Sequence, residues 1–266
     1  MTMQAPPPGT MFGALPRTDS AYGDGRFPKY EDRFELMPRD KWQPVSLNRH
    51  VRTVFGQLDG MCTSNGAAGL VEIDRSFRGR PHVPLSPEHL YGLHSTWGTG
   101  STLGENLEAL VNTGVCSREM IPQDKWRPRE WPKERIWRPN AAENKVLEFI
   151  DCNASFDALV TGLQTDHAGL VGVNWDGDPR SGHAVAVTQY IKEGGRHGIR
   201  GPNSWMEEWG EAPGYTDEEL AWLEAMGYRP FTGGWYTLWE DECDDFEQFG
   251  IWLIGSTAGG DDDGTT

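Results

Sequence analysis

Hydrophobic positions change their spacing partway along this chain, and the change is the first guide to its architecture. In the first half the signals are helical. Thr63 to Ile73 is rich in small and apolar residues, Ser86-Pro87 reads as an N-cap with proline at the first helical position, and Thr102-Leu-Gly-Glu105 matches a capping box. The helix after Thr102 sets Leu103, Leu107, Leu110 and Val111 on one face and stops at Gly114. In the second half the period shortens to that of strands. Leu170-Val-Gly-Val173, Ala184-Val-Ala-Val187 running on to Ile191, His197-Gly-Ile-Arg200, Trp235-Tyr-Thr-Leu238 and Ile251-Trp-Leu-Ile254 are short runs separated by Gly, Pro and Asp turns. One helical segment, about Asp217 to Met226, interrupts them. Helices first and strands later predict an α+β protein: a helical lobe over about 36–150, an antiparallel sheet or barrel lobe over about 151–255, and a groove between. No internal repeat is visible.

The ends read differently. Residues 1–35 hold Pro6-Pro7-Pro8, scattered glycines and little apolar periodicity, which predicts an extended or flexible arm without a helix. Residues 256–266, ending in Gly-Gly-Asp-Asp-Asp-Gly-Thr-Thr, have little to bury and read as an acidic, disordered tail.

Composition narrows the function classes. Twelve tryptophans and an aromatic content of 11% supply enough apolar surface for a folded core despite a mean hydropathy of -0.60. A length of 266 residues suits one functional unit of two lobes. The formal charge of -16 and pI near 4.8 would repel a phosphate backbone, and no Lys/Arg stripe interleaves with aromatics, so nucleic acid is not an expected partner. The start lacks the basic region and apolar run of a secretory signal, and no stretch approaches the ~18 apolar residues of a membrane span. A soluble protein without a signal peptide is expected. Cys62, Cys116, Cys152 and Cys243 are widely spaced, which favours a reducing compartment and leaves a disulfide among the last three open beside the simpler reading of inert thiols.

Several chemistries lack their motifs: there is no H-E-x-x-H, no G-x-x-x-x-G-K-[ST], no G-x-S-x-G and no Cys/His cluster with zinc spacing. No metal and no cofactor are expected. Gly98-Thr-Gly100-Ser-Thr-Leu-Gly104 reads as a loop before a capped helix, because no strand clearly precedes it. Cys62 is more distinctive. It lies in Asp59-Gly60-Met61-Cys62-Thr-Ser-Asn-Gly-Ala-Ala, where Gly60 allows a close approach and a helix can begin at the cysteine. The free N–H groups and partial positive charge of a helix start favour a thiolate there, although an ordinary buried cysteine fits the segment equally well. His183 opens an alternating strand after Ser181-Gly182, which suits either a groove-facing imidazole or a structural one. Asn203, before Ser204-Trp205, is either a turn residue or an amide that orients that imidazole.

The order Cys62, His183, Asn203 resembles that of papain-like cysteine proteases. Gln57 to Gly66 resembles the family's oxyanion glutamine and nucleophile segment, especially in short bacterial and phage forms. Ser181-Gly-His-Ala-Val-Ala-Val187 resembles its histidine strand, and Asn203-Ser-Trp205 with Trp209-Gly-Glu211 its Asn-Ser-Trp segment. Met37-Pro-Arg-Asp-Lys-Trp42 and Leu85-Ser-Pro-Glu88 resemble the start of mature members and a first-lobe helix, so the likeness spans about residues 36 to 255. It implies a two-lobed papain-like fold, Cys62, His183 and Asn203 as catalytic residues, Gln57 as oxyanion donor, Trp205 as a shield over the His–Asn bond, and a peptide or protein substrate. Departures accompany it. Gln57 stands one position closer to the cysteine than is common, the cysteine that usually precedes the nucleophile is missing, Met206 replaces a glycine, and about 212–232 looks like an insertion. No long helical propeptide is visible, so an enzyme either made active or restrained by location or by the short leader is expected, in the cytoplasm or associated with a phage or virion. An amidase or transpeptidase with the same three residues, or a non-catalytic structural or binding module in a larger assembly, fits the same resemblance.

Overall fold

A run of small residues decides where the longest helix can lie. In the computed structural model, which describes residues 5–17, 27–94, 99–175, 182–243 and 246–257, helix α1 (Cys62–Phe77) is buried along its first fourteen residues. At Gly66 a Cβ would stand 2.6 Å from Leu170 Cδ1, so this face can sit against the sheet only without a side chain. Helices α2 (Pro87–His94) and α3 (Leu103–Asn112) pack beside it. Their starts are as the sequence predicts. Ser86 Oγ accepts from the His89 N–H at 3.3 Å, and Thr102 and Glu105 complete a reciprocal capping box.

Eight strands form two antiparallel sheets of four among the described residues. One has the order β1 (Val45–Ser46), β5 (Gln189–Glu193), β6 (Arg196–Pro202), β7 (Trp235–Trp239); the other has β2 (Val146–Asp151), β8 (Ile251–Thr257), β3 (Gly169–Val173), β4 (His183–Val187). The run from Ala184 to Ile191 looks continuous in sequence but divides at buried Thr188. Its N–H bonds the Arg200 carbonyl and its hydroxyl donates to Asn48 at 2.7 Å, so β4 serves one sheet and β5 the other. Helix α1 packs on β4.

Some elements lie outside the sequence reading. Helix α4 (Glu134–Ala142) buries only Trp137 and Ala141 and contains Pro139, so its apolar signal is thin. Helix α5 (Phe156–Gln164) is buried almost throughout and shows no polar face to set a period. Strand β2 pairs with β8 through register shifts near Glu148, which break its alternation. Short helix α7 (Phe246–Phe249) precedes β8, while α6 (Asp217–Ala225) matches the expected helix and carries a capping box at Thr216. In the arm, where no helix was expected, Tyr30–Asp32 makes a 3-10 turn that buries the Tyr30 ring. Strand β8 runs to Thr257, two residues into the expected tail, because Thr257 pairs with Val146. Gly98, Ser181 and the tail from Gly259 lie outside the described residues. Among those described, no helix is long and apolar enough to cross a membrane.

Candidate active site

Cys62 is the first residue of α1. Its N-cap, Met61, offers no side-chain cap, so first-turn N–H groups remain available to the sulfur. The thiol is wholly buried, with Sγ 4.0 Å from the Gly182 carbonyl, the residue just before β4. His183 opens that strand and is also fully buried. Its Nε2 and Asn203 Oδ1 are 2.7 Å apart, and Nδ1 has no hydrogen-bond partner. Asn203 follows β6 directly and is pinned by its N–H to the Gly234 carbonyl at 2.7 Å. The ring of Trp205 stacks on His183 with centroids 4.3 Å apart and planes 22° apart, and Trp175 meets the same imidazole edge-on at 5.4 Å.

Gln57 reaches this cluster through backbone pairing that its spacing from Cys62 does not reveal. Its N–H bonds the Ser204 carbonyl at 2.9 Å, Gly56 bridges to Trp205, and its Oε1 accepts from Ser204 Oγ at 2.7 Å. The amide is thereby fixed with Nε2 turned away from Ser204 as the donor. That donor bonds the Met11 carbonyl at 2.6 Å.

Met11 belongs to the arm, which passes through the groove and forms isolated backbone bridges at Ala14. Ala14 and Gly182 exchange both backbone hydrogen bonds, at 2.9 and 2.7 Å. On the opposite wall the Ser101 N–H bonds the Gly13 carbonyl at 2.9 Å and the Leu15 N–H bonds the Ser101 carbonyl at 3.0 Å. Phe12 meets the rings of His183 and Trp205 edge-on, each at 6.0 Å. The arm is held beyond the groove as well: Trp209 Nε1 donates to the Ala5 carbonyl at 3.0 Å, and Arg17 pairs with Asp151 at 3.0 Å. The fit over Cys62 depends on glycine. A Cβ on Gly13 would lie 1.8 Å from the Gly60 carbonyl oxygen, and one on Gly100 would lie 2.2 Å from the Gly13 oxygen.

Burial sets the charge state of the pair. The Cys62 thiol is pushed up by loss of solvent, which outweighs the opposing influence of the nearby backbone N–H groups of Ala184, Gly13, Thr63 and Ala14. His183 is pushed down to about 4 by the same burial, only partly offset by Asn203. With the arm in place, thiol and imidazole are both neutral near pH 7.

All five residues singled out in the sequence, Cys62, His183, Asn203, Gln57 and Trp205, meet in this one place. Sequence reasoning missed Ser101 and Gly182, the two groove edges, along with Trp175 and the arm's Gly13. The only local signal was the scatter of isolated glycines at 13, 60 and 100, which carry meaning once they are seen to touch. All four cysteines are free thiols, and no group of three metal-ligating side chains forms among the described residues.

No protein-family model and no curated protein matches the chain. Solved structures do. Xylellain, a cysteine protease from Xylella fastidiosa, superposes with a TM-score of 0.67 at 16% identity, covering 92% of this chain and 96% of its own. Procathepsin L2 from the larval midgut of Tenebrio molitor gives 0.64 at 14% identity, covering 92% of this chain and 78% of its own. Procathepsin B from Trypanosoma congolense gives 0.58 at 16%, over 93% of this chain and 86% of its own. The α+β architecture of this chain is therefore the papain-like cysteine protease fold.

Proposed function

We propose that this chain is a cysteine peptidase whose groove is closed by its own N-terminal arm. One observation carries the reading: an extended peptide, Gly13 to Leu15, lies hydrogen-bonded between Ser101 and Gly182 directly over the Cys62 sulfur. A groove that holds backbone in this way is built for peptide substrates, recognised through main-chain hydrogen bonds on two edges. The backbone of Gly13 and Ala14 lies close enough to the sulfur for its N–H dipoles to act on the thiol.

With a substrate in place of the arm, His183 Nδ1 takes the Cys62 proton and the thiolate attacks the amide carbonyl carbon. A C–S bond forms and the negative charge moves to oxygen, held by the Cys62 N–H and by Gln57 Nε2, the donor that bonds the Met11 carbonyl in the closed state. Each such donor contributes about 2.7–4 kcal/mol in acyl-transfer enzymes. His183 then returns its proton to the leaving amine as the C–N bond breaks. Water attacks the thioester with His183 as base, releasing the acid and regenerating the thiol. Asn203 Oδ1 holds the ring by accepting from Nε2–H, and Trp205 keeps solvent from that bond.

The test is hydrolysis of fluorogenic peptide anilides by full-length chain carrying Gly13→Val, which cannot seat the arm. Turnover that disappears in Gly13→Val/Cys62→Ala supports the reading. A chain whose arm is displaced and whose fold is intact, yet which hydrolyses no substrate of the panel, would be a binding module instead.

A further inference from the structure

Met206 is the one large side chain among the described non-glycine residues with positive φ, at +68°, the others being Asn153, Ala154 and Asp166. A left-handed backbone is disfavoured for a residue with a Cβ, which crowds the following carbonyl oxygen. Two backbone hydrogen bonds hold it there, from its own N–H to the Phe55 carbonyl at 3.0 Å and from the Trp209 N–H to its carbonyl at 3.4 Å. Core packing does not repay this cost, because the residue is 52% exposed. Strain kept at an exposed position beside a reactive centre points to a role in function. The side chain lies across Gly56, where a Cβ would come within 2.9 Å of its Cγ and Cε, so Gly56 is the space that lets Met206 fold over toward Gln57.

The residue lines a cavity of about 220 Å3 together with Gln57, Leu58 and Trp205. Leu58, like Met206, is half exposed, so an apolar surface meets solvent here. The arm contributes Pro7, Pro8 and Met11 to the lining of the same cavity. Apolar chain is thus already seated where a substrate would lie. The direction of the reaction identifies which part of the substrate this is. His183 hands its proton to the leaving amine, and Trp205, stacked on His183, is the surface past which that amine's chain departs.

The geometry points to Met206 as the specificity-determining residue on the leaving-group side, walling a pocket that takes an apolar side chain just after the scissile bond. This inference rests on the peptidase reading above. It adds a preference that neither Cys62 nor the two groove edges impose.

The experiment uses full-length Gly13→Val chain with and without Met206→Gly; glycine accepts φ +68°, so the second change does not threaten the fold. Internally quenched peptides share one acyl-side sequence and carry Leu, Met or Asp after the scissile bond. A peptide anilide, with no residue there, reports whether the chemistry works at all. With Met206 present, kcat/KM for Leu or Met exceeds that for Asp by about tenfold or more. Met206→Gly brings that ratio close to one, and Met206→Leu restores it. A ratio unchanged by Met206→Gly, or no apolar preference in the parent, overturns the assignment while leaving the peptidase reading intact. A parent that fails to cleave the anilide overturns both.

Discussion

Replacing Gly13 by valine forces a test of the closed groove, because the contact it breaks is with backbone. The new Cβ would lie 1.8 Å from the Gly60 carbonyl oxygen and 2.2 Å from its carbon, and no rotamer relieves a clash at Cβ. Residues 13–15 must lift, giving up the four hydrogen bonds that tie them to Ser101 and Gly182. At about 0.5–1.5 kcal/mol each, these contribute about 2–6 kcal/mol to closure. One factor of ten in population corresponds to about 1.4 kcal/mol, so the share of molecules with Cys62 open rises from roughly thirtyfold upward until opening is complete. The assay is alkylation with iodoacetamide, read cysteine by cysteine through peptide mass spectrometry. Cys62 should label at least thirtyfold faster in Gly13→Val than in the parent chain. At pH 6 it should also outpace a free cysteine peptide, because resolvation lets the thiolate and imidazolium form together. Cys116 and Cys152, buried away from the groove, should stay unlabelled and so report that the fold is intact. Equal rates for Cys62 in the two proteins, with the other thiols still protected, would refute the reasoning that the arm covers the sulfur.

Other outcomes follow from single contacts. Asn203→Ala, made in the Gly13→Val chain, removes the 2.7 Å partner of His183 Nε2; a buried lost bond of about 1–3 kcal/mol lowers kcat by a factor of about 5 to about 160, with KM little moved, in steady-state hydrolysis of an anilide. Thr102→Ala dissolves the capping box of α3 and costs about 1 kcal/mol, a drop of about 2–4 °C in calorimetric Tm. Acid should destabilise the parent chain through its buried histidines. His183 and His50 are lowered to about 4 and His89 to about 3, all chiefly by burial, so the unfolded chain binds more protons between those values and pH 6.5 and stability falls as pH drops through that window. Buried Glu72, raised to about 7, acts oppositely, its contribution fading as pH rises from 4.5 to 7. Three groups outweigh one, and unfolding near pH 5.5 takes up about two protons from these four, measurable as the slope of urea-unfolding free energy against pH.

What could be read from sequence follows from how local each signal is. The starts of α2 and α3 depend on residues three positions apart, and the N-cap and capping box were legible at once. Cys62 at a helix start was legible for the same reason. The histidine strand was legible as a strand, but not its division at Thr188, because a buried hydroxyl bonded to Asn48 leaves no local pattern. Gln57 was obscured by its short distance to Cys62. Its position is set by pairing Gly56 and Gln57 with Ser204 and Trp205, a contact across most of the chain. Buried α5 and register-shifted β2 lost the period that sequence patterns rely on.

The arm shows why periodicity is the wrong instrument for a segment that lies in a groove. Residues 5–17 have no apolar period because they need none: a peptide lying in a groove borrows its hydrogen bonds from the groove's two edges and its burial from the walls. What it requires is room for backbone against backbone. That requirement falls on Gly13, Gly60 and Gly100, three residues far apart in sequence that meet within contact distance over Cys62. The same closeness excludes water from the thiol and the imidazole, so covering the groove and returning both groups to their neutral forms are one event. Lifting the arm therefore restores access and reactivity together. Labelling of Cys62 and hydrolysis of an anilide should consequently rise in the same proportion across a series of substitutions at Gly13, and a variant that gained one without the other would separate the two effects.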